Sequence, residues 1–220
     1  MGFCMTLNSI IITRPAYDYT TRYISAWAGL MVSLAKGKVA TVVDLAGSRA
    51  SFKEFSSVMK KFSTAFVFIN GHGNRNSVCG HDGEPLLTVG QNESLISGSV
   101  VYALSCSSAR TLGYSAVQSG CRSYIGYEED FVFAYDSNFR TKPLHDKTAA
   151  LFLEPSNQVV TALLKGHTAE EAHANSKEAF VRNIRKLLTS QSSTIQSPAL
   201  RFLIWDYQHQ VCLGDGNARI

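Results

Sequence analysis

Two short runs made only of apolar residues constrain the fold more than any other feature of the chain. Residues 66–69 and residues 100–104 are rich in β-branched and aromatic side chains and contain no polar residue. Such runs predict strands that are buried on both faces, as in a parallel sheet covered by helices. The first run leads to His72 and the second to Cys106. Because parallel sheets carry their chemistry at the carboxyl ends of the strands, we expect both side chains at one edge of the sheet.

The rest of the chain alternates between strand and helix patterns. Further apolar runs predict strands at residues 9–13, 39–45, 123–127 and 211–213. Amphipathic spacing, capping boxes and terminal glycines predict helices at residues 19–34, 52–62, 109–120, 158–165 and 168–188. This order predicts an α/β fold, a three-layer α/β/α sandwich with a mostly parallel central sheet of about six strands.

The segments between these elements are predicted from their polar and glycine-bearing composition. Residues 74–99 form a long loop with one short helix, and residues 128–142 form a second loop rich in aromatic and acidic side chains. A Ser, Thr and Gln tract at residues 189–198 predicts an exposed loop. Residues 200–205 are apolar and fit a helix or a strand equally well.

Composition narrows the class of protein. The 220 residues are 45% hydrophobic and 17% charged, which predicts one globular domain spanning residues 1–220. The net charge is only +4 and the Lys and Arg residues are scattered, so we expect no nucleic-acid partner. No run has the length of a membrane span and no secretory signal is visible. Five cysteines without framework spacing predict a reduced, cytoplasmic protein. Residues 1–6 also fit the loose pattern for N-terminal lipidation at Gly2 and Cys4.

The candidate chemistry is that of a cysteine nucleophile and its base. Cysteine attacks as the thiolate, and a thiol between a strand and a helix is expected to have a lowered pKa because of the positive end of the helix. His72 is then the general acid and base. The N–H groups of Gly73 and Cys106 are candidates for an oxyanion hole.

On these residues, the chain resembles the clan of cysteine peptidases that includes caspases, metacaspases, gingipains, separases and bacterial CHAT proteins. Their shared pattern is an apolar strand ending in His-Gly, then an apolar strand ending in a small residue and the catalytic Cys. Residues 66–73 and residues 100–106 carry that pattern here. Weaker similarity touches residues 112–127, 162–172 and 213–220, so the resemblance extends over most of the chain.

The resemblance implies a caspase-like sandwich and an endopeptidase that cuts a protein substrate through a thioester acyl-enzyme, with no metal or other cofactor. Stand-alone bacterial relatives often act in defence against viruses or in regulated death, cutting one partner such as a gasdermin. The caspase signature of Gln-Ala before the nucleophile and Gly two residues after it is absent, and the spacing from His72 to Cys106 is shorter than in caspases. Both departures argue against a true caspase with a strict aspartate preference.

The clan also implies a specificity pocket that takes side chains from the first strand end and from the loop after the fifth strand. Arg14 and Asp18 occupy the first region, and Glu128, Glu129 and Asp130 occupy the second. Acids at the base of the pocket favour Lys or Arg in the substrate, whereas Arg14 favours an acid or an amide. The aromatic residues of the second region instead favour an apolar side chain, and the sequence leaves this choice open.

Other classes of protein fit the sequence less well. A zinc site formed by His72, Cys79, His81 and Cys106 has the wrong spacing for paired ligands. The glycines around His72 lack the third glycine of a dinucleotide-binding loop, and no Gly-x-Ser-x-Gly elbow is present. The remaining alternative is a non-catalytic or zymogen-like relative that docks a partner in the same cleft, and activation by a partner protein also stays open.

Overall fold

The computed structural model describes residues 9–189 and 197–220. The predicted lipidation motif and most of the predicted Ser, Thr and Gln loop therefore lie outside the described residues. The main sheet has six strands, β1 (Ser9–Arg14), β2 (Thr41–Ala46), β3 (Thr64–Asn70), β7 (Val100–Leu104), β8 (Ser123–Tyr127) and β9 (Gln210–Gly214). Their spatial order is β2-β1-β3-β7-β8-β9. Three further strands form a small second sheet: β4 (Gly73–Asn74), β5 (Ser77–Cys79) and β6 (Pro85–Thr88).

The main sheet confirms the predicted fold class. All neighbouring strands from β2 to β8 pair in parallel, and β9 pairs with β8 in the antiparallel direction. Helices cover both faces, as continuous apolar strands require. The helices are α1 (Tyr19–Lys36), α2 (Phe52–Lys61), α3 (Tyr114–Gln118), α4 (Lys147–Leu163), α5 (Ala169–Thr189) and α6 (Ser197–His209). None of these helices, which belong to the described part of the chain, is long and apolar enough to cross a bilayer.

Alternate residues of the central strands feed two separate hydrophobic cores. Phe66, Phe68 and Tyr102 join side chains from α1, α4 and α5 on one face. Val67 and Val101 join side chains from α2 and from the helical segment after β7 on the other face. Helix α6 packs outside the first layer, against α4 and α5. The central strands are therefore buried on both sides, and their polar side chains are confined to the strand ends.

The structure corrects the predicted loop at residues 74–99. This segment holds the small antiparallel sheet β4-β5-β6 together with two 3-10 turns, rather than a loop with a single short helix. Its strands have two to four residues each, which is too short for an alternating pattern to be recognised in sequence. The small sheet packs Val78, Leu86 and Leu87 onto the second core, so it is built into the fold.

Helix α4 begins earlier than the predicted start at residue 158. Asp146 caps it, with Oδ1 accepting the N–H groups of Thr148 and Ala149. Pro155 lies inside the helix and cannot donate to the Leu151 carbonyl one turn earlier. The Nδ2 amide of Asn183 on α5 donates to that carbonyl instead, at 2.7 Å. A tertiary contact thus satisfies the carbonyl that Pro155 leaves without a donor. The ambiguous residues 200–205 lie within α6.

Candidate active site

The predicted adjacency of the two strand ends is confirmed. β3 and β7 are parallel neighbours, and Asn70 is the register partner of Leu104. His72 and Cys106 each follow two residues after that last pair. The Gly71 N–H donates to the Leu104 carbonyl at 3.4 Å, so the pairing continues just beyond the strands. The two loops that carry the imidazole and the thiol therefore leave the sheet side by side at one edge.

Gly73 lies where these two loops touch. A Cβ atom at position 73 would lie 2.2 Å from Ser105 Oγ and 2.9 Å from the Ser77 carbonyl, so only glycine fits without displacement of its neighbours. Gly73 pairs with Val78 in the small sheet, and the flanking bond runs from the Cys79 N–H to the His72 carbonyl. In such a non-hydrogen-bonded pair the Gly73 N–H points away from β5. This orientation is compatible with the predicted oxyanion role of Gly73.

His72 is held by a carboxylate. Its Nε2 lies 2.6 Å from Oδ2 of Asp18, and both side chains are about two-fifths exposed, at 42% and 39%. An ionised carboxylate only accepts, so Nε2 carries the hydrogen and Nδ1 is the nitrogen that can exchange a proton with a nucleophile. The Tyr17 ring packs edge-on to the His72 ring, with centroids 6.1 Å apart. Position, tautomer and orientation of the imidazole are thus fixed by neighbouring groups.

The Asp18 carboxylate bonds both the first turn of a helix and the His72 imidazole. It is the N-cap of α1, where Oδ1 accepts the Thr21 N–H at 2.7 Å, while Oδ2 bonds His72. Partial burial by itself raises the pKa of Asp18, but the hydrogen bonds from Thr21 and His72 outweigh it and lower the pKa below its usual value. Both carboxylate oxygens of Asp18 are therefore engaged in internal bonds, and its role in substrate binding stays a prediction.

The surroundings of Cys106 differ from those predicted. The Sγ–H group donates to the Phe131 carbonyl at 3.7 Å. Burial, with the nearby charge of Asp130, raises the pKa of the thiol to about 11. The expected lowering of the thiol pKa was wrong, because burial raises it instead. Ser107 and Ser108 separate the thiol from a π-helical turn at Ala109–Gly113, which leads into the short α3. At neutral pH the thiol of this conformation is protonated.

A covering loop, defined here as residues 128–136, lies over the thiol. Ser107, next to the nucleophile, has a positive φ of 52°, a conformation that costs about 1 kcal/mol or more for a non-glycine residue. The loop stabilises it: the Ser107 N–H donates to the Glu129 carbonyl at 3.0 Å, and Ser107 Oγ donates to Asp130 Oδ1 at 2.7 Å. The backbone at Cys106 and the covering loop are therefore locked to each other.

Helix α6 anchors the covering loop from outside. The Trp205 indole N–H donates to the Asp130 carbonyl at 2.9 Å, and the Val132 N–H donates to Asp206 Oδ1 at 3.0 Å. Asp206 is fully buried, its Oδ2 has no hydrogen-bond partner within the described structure, and burial raises its pKa well above the ordinary range. These contacts were not predicted, because residues 200–205 carried no clear helix pattern and nothing local links α6 to the loop.

The other predicted substrate-binding residues also have internal partners. Glu128 accepts from the Tyr114 hydroxyl at 3.4 Å, and Glu129 pairs with Arg110 at 2.9 Å. Arg14, at the end of β1, forms a two-point ion pair with Asp44 of β2 at 2.8 and 2.6 Å. Glu129 and Asp130 of the covering loop bond Ser107, next to Cys106, whereas the charge of Arg14 is neutralised at the neighbouring strand. A role for any of them in substrate binding stays a prediction.

Within residues 9–189 and 197–220, no three His, Cys, Asp or Glu side chains are grouped so that they could hold a metal ion. No protein-family model matches the chain, and no curated protein is similar to it. The interpretation of the site therefore rests on its geometry and on the resemblance of its two motifs.

Proposed function

We propose that this chain is a cysteine endopeptidase of the caspase-like clan, with Cys106 as nucleophile, His72 as general base and acid, and Asp18 as the residue that positions His72. The observation that carries the proposal is the 2.6 Å contact between His72 and Asp18 at the strand end next to the one that carries Cys106. A nucleophile, a base and a third group that orients the base are the general signature of nucleophilic catalysis.

The reaction follows from these groups. Nδ1 of His72 takes the thiol proton as Sγ of Cys106 attacks the scissile carbonyl carbon, which becomes a tetrahedral oxyanion. The N–H groups of Gly73 and Cys106 are the donors for that oxygen. The imidazolium then protonates the leaving amine, the C–N bond breaks and a thioester remains. Water attacks the thioester, His72 accepts its proton and returns it to the sulfur, and the acid product leaves. No step needs a metal or an organic cofactor.

A second candidate, a zymogen-like or non-catalytic binding module, is favoured by a specific observation. The thiol is bonded to the Phe131 carbonyl, and its pKa is raised to about 11. An active cysteine peptidase needs a thiolate that is accessible to the substrate. On the peptidase proposal, the covering loop must shift when substrate or an activating partner binds. A cytoplasmic role in defence or regulated death, with a gasdermin-like substrate, rests on the resemblance alone.

The decisive experiment is a peptide-library cleavage profile of the wild-type chain, with Cys106→Ala and His72→Ala as comparisons. We expect cleavage by the wild type and none above background by Cys106→Ala. Cleavage that survives in Cys106→Ala would overturn the assignment of the nucleophile.

Labelling with a thiol-directed activity probe separates the two candidates. For a peptidase, the probe labels Cys106, His72→Ala reduces the labelling, and the buried Cys121 serves as an internal control. Absence of labelling at Cys106, with intact substrate proteins, with fragments or after limited proteolysis of the covering loop, supports the binding module instead.

A further inference from the structure

We propose that a pocket between the covering loop and α6 binds an aromatic or large aliphatic side chain of the substrate. This proposal rests on the proposed function and names the specificity of the same site. The pocket has a volume of about 440 Å³ and is lined by Asp130, Val132, Arg201, Phe202 and Trp205. We refer to it below as the α6 pocket.

The α6 pocket and the candidate active site share the backbone of the covering loop. Asp130 and Val132 line the pocket, and the carbonyl of Phe131 between them accepts the hydrogen of the Cys106 thiol. Asp130 also bonds Ser107, the residue after the nucleophile. Cys106 itself does not line the pocket, so the backbone of residues 130–132 is the link between the pocket and the nucleophile loop.

The chemistry of the α6 pocket favours an uncharged, flat or branched side chain. Trp205 is 39% exposed, its indole N–H is bonded to the Asp130 carbonyl, and the His209 ring packs against it with centroids 4.1 Å apart, so the remaining exposed ring surface is the part available for contact. Phe202 and Val132 add apolar surface. An exposed tryptophan next to a phenylalanine in a concave site is typical of a hydrophobic binding pocket.

Both charged residues of the α6 pocket are engaged by neighbours. The Asp130 carboxylate accepts from Ser107 Oγ at 2.7 Å, and the Arg201 guanidinium lies 4.6 Å from the centre of the Phe202 ring. Because one charge is negative and the other positive, neither a basic nor an acidic side chain meets a consistent complementary field. Among the alternatives left open by the sequence, these contacts favour an apolar residue.

The test measures binding without catalysis. Fluorescein-labelled peptides that differ at one position, with Phe, Leu, Ala, Lys or Asp, are titrated into the Cys106→Ala protein and followed by anisotropy. We expect the Phe and Leu peptides to bind about 10-fold or more tightly than the Ala, Lys and Asp peptides, the range found for apolar side chains in pockets. Trp205→Ala and Phe202→Ala, each combined with Cys106→Ala, are expected to abolish that preference.

Two further variants make the result specific. Val132→Phe fills the α6 pocket while leaving Trp205 in place, and it is expected to lose the preference even if Trp205→Ala folds poorly. Phe52→Ala removes a comparably exposed aromatic, 38% exposed on α2, and is expected to leave every affinity unchanged. Circular dichroism confirms that each variant is folded.

The outcomes distinguish this inference from the proposed function. An apolar preference that survives in folded Trp205→Ala, Phe202→Ala and Val132→Phe overturns the α6 pocket, as do equal affinities or the absence of binding for all peptides. Cleavage by the wild type with a Lys or Asp preference also overturns the pocket but leaves the peptidase intact. The expected binding preference without any cleavage by the wild type contradicts the peptidase and leaves the pocket standing as a recognition site.

Discussion

His72 and Cys106 stand at equivalent positions after neighbouring strands, yet their surroundings differ in kind. The imidazole is 42% exposed and is bonded to a carboxylate whose pKa is lowered. The thiol is bonded to a backbone carbonyl beneath the covering loop, and its pKa is raised to about 11. On the proposed function, the base is already bonded to its orienting carboxylate in this conformation, whereas the proposed nucleophile is held in its neutral form.

This difference also locates the control point of the proposed enzyme. The orientation of His72 depends on Asp18, which is fixed by the first turn of α1. The thiol, in contrast, depends on the covering loop, which is bonded to Ser107 on one side and to α6 on the other. Regulation by a partner or by substrate is therefore expected to act on the loop and not on the imidazole.

Removal of the imidazole should cause the largest loss of the proposed peptidase activity. His72→Ala is expected to lower kcat/KM by about 10³-fold, since positioned general acid–base groups contribute on the order of 10² to 10⁴. Steady-state cleavage of the best library peptide measures it. His145→Ala, at an exposed histidine far along the chain, is the control and should leave the rate unchanged. A similar loss in both variants would contradict the assignment.

Separation of the two loops should have the next largest effect. Gly73→Ala introduces a methyl group 2.2 Å from Ser105 Oγ, so the loops of His72 and Cys106 must move apart. We expect a loss of about 10²-fold in kcat, typical of a misplacement near 1 Å. Overpacking should also lower the free energy of unfolding by about 1–3 kcal/mol, measured by urea denaturation. Gly37→Ala, where the new methyl group has room, should change neither quantity.

Asp18→Asn tests the positioning of the imidazole. The amide keeps an oxygen for the Thr21 cap but can donate to Nε2, which would place the ring hydrogen on Nδ1, the wrong tautomer for taking the thiol proton. We expect kcat to fall about 10- to 100-fold, part of the acid–base contribution. Thr21→Ala weakens the same helix cap without touching His72, so a matching loss there would show that Asp18 acts only through α1.

Asp130→Asn should have the smallest effect, on the thiol side. Asp130 is the charge that most raises the pKa of Cys106, after burial itself. Its removal shifts the thiolate population to lower pH, so the rate of iodoacetamide labelling at pH 7.5 should rise several-fold, about 10-fold for each pKa unit. Labelling is followed by mass spectrometry between pH 6 and pH 10. Glu129→Gln, the adjacent acid paired with Arg110, should leave the pH profile in place.

The sequence was sufficient for the sheet and for the pair of strand ends. Buried parallel strands have an unambiguous apolar signature, and residues that follow them must lie at one edge. It was insufficient where tertiary contacts decide the outcome. Asn183 rescues the helix around Pro155, and the short strands at residues 73–88 are stable only because they pack on the second core.

For the same reason, the sequence predicts some residues of the candidate site but not the groups that surround them. His72, Cys106 and Gly73 follow from local patterns, but the partner of His72 lies 54 positions away along the chain. The raised pKa of Cys106 comes first from burial and then from the charge of Asp130 on the covering loop, 24 positions further along the chain. No local sequence pattern reveals contacts between residues so far apart along the chain. The sequence therefore predicts substrate binding for Asp18 and a lowered pKa for the Cys106 thiol.

The buried Asp206 carboxyl has a practical consequence for anyone who purifies this protein. Its folded pKa lies well above the unfolded value, so the stability linked to it is complete in acid below about pH 4 and declines as the pH rises toward the folded pKa. The reactivity of the Cys106 thiol changes in the opposite direction, because the fraction of thiolate increases as the pH rises. Mildly acidic buffers should thus suit storage and crystallisation, while assays of the proposed peptidase activity call for alkaline conditions and short incubations.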